Sequence, residues 1–213
     1  MKRRKKIDNK IPLFKVFMSK GVIRPLTKVL FSGYIGQGKK VVEFENKLAQ
    51  FVKNPLIFTV NSGTSALQLS LRLANVGLGD EVISTPMTCT ATNWPILATG
   101  AKIVWADIDP VTGNIDPESI KKCISRKTKA IMAVDWGGYP CDIDRIKKIA
   151  KDIPVIEDAA HALGSIYKNK MVGQSADFTC FSFQAIKSMT TVDGGAVAVK
   201  TKRDYKRGVL LRW

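Results

Sequence analysis

The stretch FTCFSFQAIKSMTTVDGG, residues 178–195, decides how this chain is read. An apolar run, FTCFSF, ends in a short polar loop carrying Lys187. Gly194 and Gly195 then turn the chain into a second apolar run, AVAV. Two strands joined by such a loop put Lys187 at the rim of a sheet, beside buried surface. An amine held there loses part of its solvation, which lowers its pKa and frees it to attack a carbonyl. A solvated loop lysine is the plain alternative for any single lysine, so the case rests on what else converges with it.

Upstream, strands and helices alternate. LIFTV (56–60), EVIST (81–85), AKIVWADI (101–108), KAIMAVD (129–135) and PVIED (154–158) read as strands. TSALQLSLRLANV (64–76), ATNWPILATG (91–100), DPESIKKCI (116–124) and DIDRIKKIAKD (142–152) read as helices. Near-continuous apolar strands alternating with amphipathic helices predict an α/β fold with a mainly parallel sheet covered on both faces. Further upstream, VVEFENKLAQFV has apolar residues at helical spacing. The glycine turn SGYIGQG is either a connection or part of a pocket wall, and IPLFKVFMSKGVIRPLTKVLFSG predicts a helix broken near Pro25. Residues 1–10 read as a loose basic arm.

In parallel sheets, ligands sit beyond the carboxyl ends of the strands, and three of those ends carry suitable groups. After LIFTV, Gly63, Thr64 and Ser65 open a helix whose unpaired amides and dipole suit an anion such as phosphate. The same residues also read as a plain helix cap made by Ser62 or Thr64. After PVIE comes Asp158, which at a buried strand end needs a cationic or hydrogen-bonding partner, or else caps a following helix. His161, the only histidine in the chain, lies three residues on and reads equally as a packed core residue. Beside Lys187 stands Ser182, a donor to the same anion or to neighbouring backbone. An amine, a carboxylate to pair with a protonated pyridine nitrogen, and an anion seat make up the set that pyridoxal 5′-phosphate chemistry requires.

Composition sets the bounds. Hydrophobic residues at 45% of 213 allow a large core, and no apolar run approaches a membrane span. The basic start MKRRKK is not followed by an apolar stretch, so no secretory signal is read there. Cys89, Cys123, Cys141 and Cys180 show no metal-type spacing, and a reducing cytoplasmic compartment suits them. The net charge of +16 comes from the two ends, because residues 54–199 hold 14 basic and 14 acidic residues. No zinc-finger, helix-turn-helix or RNA-binding motif supports a nucleic-acid partner.

The strings NSGTSAL, IEDAAHALGS, FSFQAIKSMTTVDGGAVAV, SGYIGQGKKVVEFE, VISTPMTCTATNWPI and DIDPVTGNIDPESI resemble the DegT/DnrJ/StrS family of pyridoxal phosphate-dependent sugar aminotransferases. The resemblance implies the three-layer large domain of the aspartate aminotransferase class (fold type I), over residues 31–213, after an arm and first helix at 1–30. It implies that Lys187 bonds the cofactor and shuttles a proton, that Asp158 pairs with the pyridine nitrogen, and that His161 contacts the ring oxygen. Gly63, Thr64, Ser65 and Ser182 match the phosphate-binding positions. The implied reaction moves an amino group, from glutamate as the usual donor, to a keto group on a nucleotide-linked deoxysugar in surface-glycan synthesis. A homodimer with active sites at the subunit interface is implied too.

Two departures from the family pattern stand out. Cys89 occupies the position where many members stack an aromatic ring on the cofactor, and Trp94 lies too far along its helix to replace it. Members also continue for roughly as many residues again, through a smaller domain. The expectation is therefore a large domain without its small one, paired with a separately encoded half or weakly active alone. The sugar 3-dehydratase branch replaces the lysine with histidine, which Lys187 argues against. A non-catalytic remnant serving as a dimerisation or regulatory partner is the reading from a different class.

Overall fold

The computed structural model describes residues 11–212; the basic run at 1–10 lies outside them. A seven-stranded sheet forms the centre. Its strands are β1 (Ile57–Val60), β2 (Glu81–Ser84), β3 (Lys102–Trp105), β4 (Thr128–Val134), β5 (Val155–Asp158), β8 (Phe178–Ser182) and β9 (Gly195–Val199). Their spatial order is β1-β9-β8-β5-β4-β2-β3, and only β9 runs antiparallel to its neighbours. The fold is thus α/β with a mostly parallel sheet, and the carboxyl ends of β1, β5 and β8 share one rim. The remaining strands, β6 (Ile166–Tyr167) and β7 (Lys170–Met171), make a separate hairpin. Its turn, Lys168–Asn169, has positive φ at both residues, a hairpin turn that Lys-Asn does not announce as Asn-Gly would.

Alternation along the strands sorts the core into two faces. Phe58, Val82, Met132, Ile156, Cys180 and Val197 pack with Leu67, Leu71 and Ile96 on one face. These come from α3 (Gly63–Leu73) and α4 (Thr90–Ala98), and α7 (Lys202–Leu211) packs beside them through Tyr205. On the other face, Ile83, Ile131, Ala133 and Val155 meet Ile120, Ile143 and Ile146 of α5 (Pro117–Cys123) and α6 (Ile143–Ala150). There too Ile57, Phe181 and Ala198 meet Leu48 and Val52 of α2 (Lys39–Val52). Local chemistry closes the helix ends: Asp116 and Asp142 cap α5 and α6, with Pro117 opening α5.

One expectation needs correction. Pro25 does not break a helix, because α1 (Ile23–Leu30) begins just before it. Proline falls in the first turn, where a missing N–H costs no intrahelical bond. The basic C-terminal end packs on the core through α7. Within α7 the Tyr205 ring meets Phe58 edge-on, centroids 5.9 Å apart, and Arg207 donates to the Leu73 carbonyl at 3.3 Å and to Asn75 Oδ1 at 3.1 Å.

Candidate active site

The rim of the sheet encloses a cavity of about 350 Å3. Gly63, Thr64, Cys89, Asp158, His161, Ser182 and Lys187 all line it, seven of the eight residues expected from sequence. Ser65 is the exception. It borders a separate groove of about 710 Å3 that also takes Gly36 of the glycine turn. The turn is thus part of a groove wall, away from the cavity.

The first wall is the start of α3. Ser62 is its cap: its Oγ accepts from the Ser65 amide at 3.1 Å and donates to Ser65 Oγ at 3.0 Å. The cap reading holds, and it explains why Ser65 is committed elsewhere. The amides of Gly63 and Thr64 stay without an intrahelical acceptor, at the positive end of an 11-residue helix. Glycine is required at 63 because a Cβ there would come 2.8 Å from Ser182 Cβ. That close approach brings the Ser182 hydroxyl, near-buried at the end of β8, against the helix start; its one bond is a long 3.5 Å from the Gln184 amide.

The second wall is the end of β5. Asp158 is 6% exposed. Its Oδ2 accepts from Thr92 Oγ1 at 2.7 Å and its Oδ1 from the Ala160 amide at 3.1 Å. Burial pushes its pKa up, opposed by the Thr92 and Ala160 bonds and by the charges of Lys187 and His161. No helix follows Asp158, so it does not act as a helix cap. His161 stands exposed by area at the rim, yet is enclosed enough that partial desolvation, then the Lys187 charge, pushes its pKa down against Asp158.

The third wall is the 183–194 loop between β8 and β9. Among the described residues, no hydrogen bond or ion pair engages the Lys187 amine. Partial burial lowers its pKa, and the proximity of Asp158, then Cys89, opposes that shift. Cys89 is exposed at the start of α4, whereas Trp94 is 60% exposed and does not reach the cavity. The aromatic wall is instead Trp136, whose ring lies 6.4 Å from that of His161 at a 50° tilt.

Thr92, Trp136 and Asp135 were not picked out from sequence. Thr92 gives no local signal, because its partner lies 66 residues away. Asp135 follows β4 directly, and the strand-end rule that found Asp158 applies to it equally.

Comparison with known proteins follows the same geometry. Residues 18–212 match the model of the DegT/DnrJ/EryC1/StrS aminotransferase family. The spore coat polysaccharide biosynthesis protein SpsC of Bacillus subtilis is 42% identical over 187 residues, 87% of this chain and 48% of SpsC. A UDP-4-amino-4,6-dideoxy-N-acetyl-beta-L-altrosamine transaminase of Campylobacter jejuni is 39% identical over 196 residues, 89% of this chain and 51% of that protein. The sugar aminotransferase Spr1654 of Streptococcus pneumoniae, solved in PLP and PMP forms, superposes with a TM-score of 0.88 at 36% identity, over 94% of this chain and 57% of that one. The chain spans about half the length of the curated relatives it matches. With the family pattern matched over nearly its whole length, the chain belongs to the DegT/DnrJ/EryC1/StrS aminotransferase family.

Proposed function

We propose that this chain carries the cofactor site of a pyridoxal 5′-phosphate-dependent aminotransferase acting on a nucleotide-linked sugar. The observation that carries the reading is the convergence on one cavity of an amine with no hydrogen-bond partner among the described residues (Lys187), a buried carboxyl (Asp158) and two helix-end amides without an intrahelical acceptor (Gly63 and Thr64). That donor set fits the cofactor group for group. The Gly63 and Thr64 amides with the Ser182 hydroxyl would hold a phosphate. Asp158 would face a protonated ring nitrogen, its negative charge supported by the Thr92 and Ala160 bonds. Neutral His161 and Trp136 would border the ring. Bound there, the cofactor supplies a conjugated ring that draws electron density from the carbon being aminated.

Lys187 then has two tasks. Its lowered pKa leaves more free base at neutral pH, and its unengaged Nζ can accept and return a proton at the substrate carbon. Glutamate is the donor in this reading, on the family resemblance. A nucleotide-linked acceptor rests on the Campylobacter transaminase, and a role in polysaccharide synthesis on SpsC.

The cofactor domain begins at residue 31, and the arm before it serves a second copy of the chain. Support comes from Ile11, Leu13 and Phe17, each more than 80% exposed, and from α1, which buries none of its residues. A homodimer interface would cover them. Among the described residues, no helix is long and apolar enough to cross a membrane. Four unpaired cysteines suit the reducing cytoplasm.

The test is an absorbance titration of the 213-residue chain with pyridoxal 5′-phosphate. A new visible band that disappears in Lys187→Ala, with the thermal midpoint kept, is the expected result. A chain that gives no band, or the same band without Lys187, refutes the reading.

A further inference from the structure

We propose that Gly113 and Asn114 are positioning residues for cofactor binding: from outside the cavity they fix the Trp136 indole on its wall. The inference rests on the cofactor reading above and extends it to the turn between β3 and α5.

Trp136 lies just past β4 and lines the cavity with Asp158, His161 and Lys187. Cys89 presents no ring there, so among the described lining residues Trp136 supplies the one large aromatic side chain. Its indole N–H has no hydrogen-bond partner among the described residues. Packing and backbone bonds therefore set where the ring lies, and both come from the turn at 109–116. Gly113 has φ +73°, a left-handed conformation that favours glycine, and a Cβ there would come 2.8 Å from Trp136 Cδ1. The indole thus rests directly against the Gly113 backbone. Asn114, 5% exposed, holds both ends of the segment 136–139. Its Oδ1 accepts from the Trp136 amide at 2.9 Å, and its Nδ2 donates to the Tyr139 carbonyl at 2.9 Å. Without that side chain the Trp136 amide loses its acceptor, and nothing ties the segment to the turn at these two points.

The clamp has a firm base. The Gly113 amide donates to the Asp109 carbonyl at 2.8 Å, and the Asp109 amide donates to the Asn114 carbonyl at 2.9 Å, which closes the turn. Ile115, 2% exposed, anchors it in the core with Ile120 and Ile143. Neither Gly113 nor Asn114 lines the cavity, and Asn114 borders a separate groove of about 460 Å3. Trp136 also meets His161, with ring centroids 6.4 Å apart, and Gly138 packs on the same residue: a Cβ there would come 2.7 Å from the His161 carbonyl oxygen. The indole is therefore held between the 109–116 turn and the His161 segment. A change in the turn moves the aromatic wall while leaving Lys187, Asp158 and the Gly63 amide in place.

The experiment is a double-mutant cycle in the full chain, with pyridoxal 5′-phosphate as the probe and equilibrium dialysis as the readout. Gly113→Ala and Asn114→Ala should each weaken binding about 3- to 10-fold, the range of one aromatic contact. Trp136→Leu should do the same, and in the Trp136→Leu background neither turn variant should cost more than about a further twofold. Losses that multiply in full in that background overturn the proposal, because the turn would then act on something other than the indole. A second measurement needs no cofactor. His161 is the only histidine in the chain, so its Hε1 proton resonance is identified directly, and it lies within reach of the Trp136 ring current. Trp136→Leu should shift that resonance, and both turn variants should move it the same way. A variant that lowers the thermal midpoint but keeps the resonance and the affinity shows a turn that serves stability alone and overturns the proposal. Failure of both turn variants to fold does so too. If wild type binds the cofactor and the turn variants bind it equally well, only the positioning claim falls. Resonances that shift as expected, with no binding by any protein including wild type, contradict the proposal and place the failure in the cofactor reading.

Discussion

Thr92→Val tests the site at the bond that supports Asp158. Valine keeps the shape of threonine and removes only the hydroxyl that donates to Asp158 Oδ2 at 2.7 Å. Both side chains are buried, at 1% and 6% exposure, so water cannot readily replace the bond. A hydrogen bond to a buried charged group contributes about 1.5–3 kcal/mol. Its loss raises the Asp158 pKa further beyond its already elevated position. Thr92 lowers the folded-state pKa, so its stabilisation is full where Asp158 is ionised and fades as pH falls through that pKa. In urea titrations of the free chain, the Thr92→Val deficit should therefore be about 1.5–3 kcal/mol at about pH 8.5 and smaller at about pH 5. Cofactor affinity at the higher pH should fall about 10- to 100-fold. A deficit that is the same at both pH values refutes the reasoning, because it would mean the hydroxyl does not stabilise a charge.

Glu157, 1% exposed, accepts from Thr179 Oγ1 at 2.8 Å, yet burial raises its pKa to about 7. A raised acid costs stability as pH rises from its unfolded value through its folded one. Glu157→Gln should therefore stabilise the free chain by about 1–3 kcal/mol at about pH 8 and by little near pH 4, read by denaturant midpoint; destabilisation at both refutes this. Gly63→Ala places a methyl 2.8 Å from Ser182 Cβ and should cost about 1–3 kcal/mol of stability. It should also weaken pyridoxal 5′-phosphate binding more than that of pyridoxal, which lacks the phosphate; equal loss would argue against a phosphate seat at Gly63.

Much of this molecule is legible in its amino-acid order. Strand and helix periods are local, so the alternation from LIFTV to AVAV could be read directly. A parallel sheet puts strand ends on one rim, so Gly63, Asp158 and Lys187 could be placed near one another before any coordinates. What the sequence could not decide depends on contacts between distant residues. Ser65 and Thr64 look alike as opening residues of a helix, but the Ser62 cap commits one of them and leaves the other facing the cavity. Thr92 becomes the support of Asp158 only because the first turn of α4 reaches the end of β5. Asp135 and Asp158 are both acids at strand ends, and the chain does not say which carries charge. Burial raises the pKa of both; Thr92, Ala160, Lys187 and His161 oppose the rise at Asp158, whereas at Asp135 Glu157 and Asp158 add to it and Cys141 opposes it. Charge state follows from solvation and neighbours, and those exist only once the chain is folded.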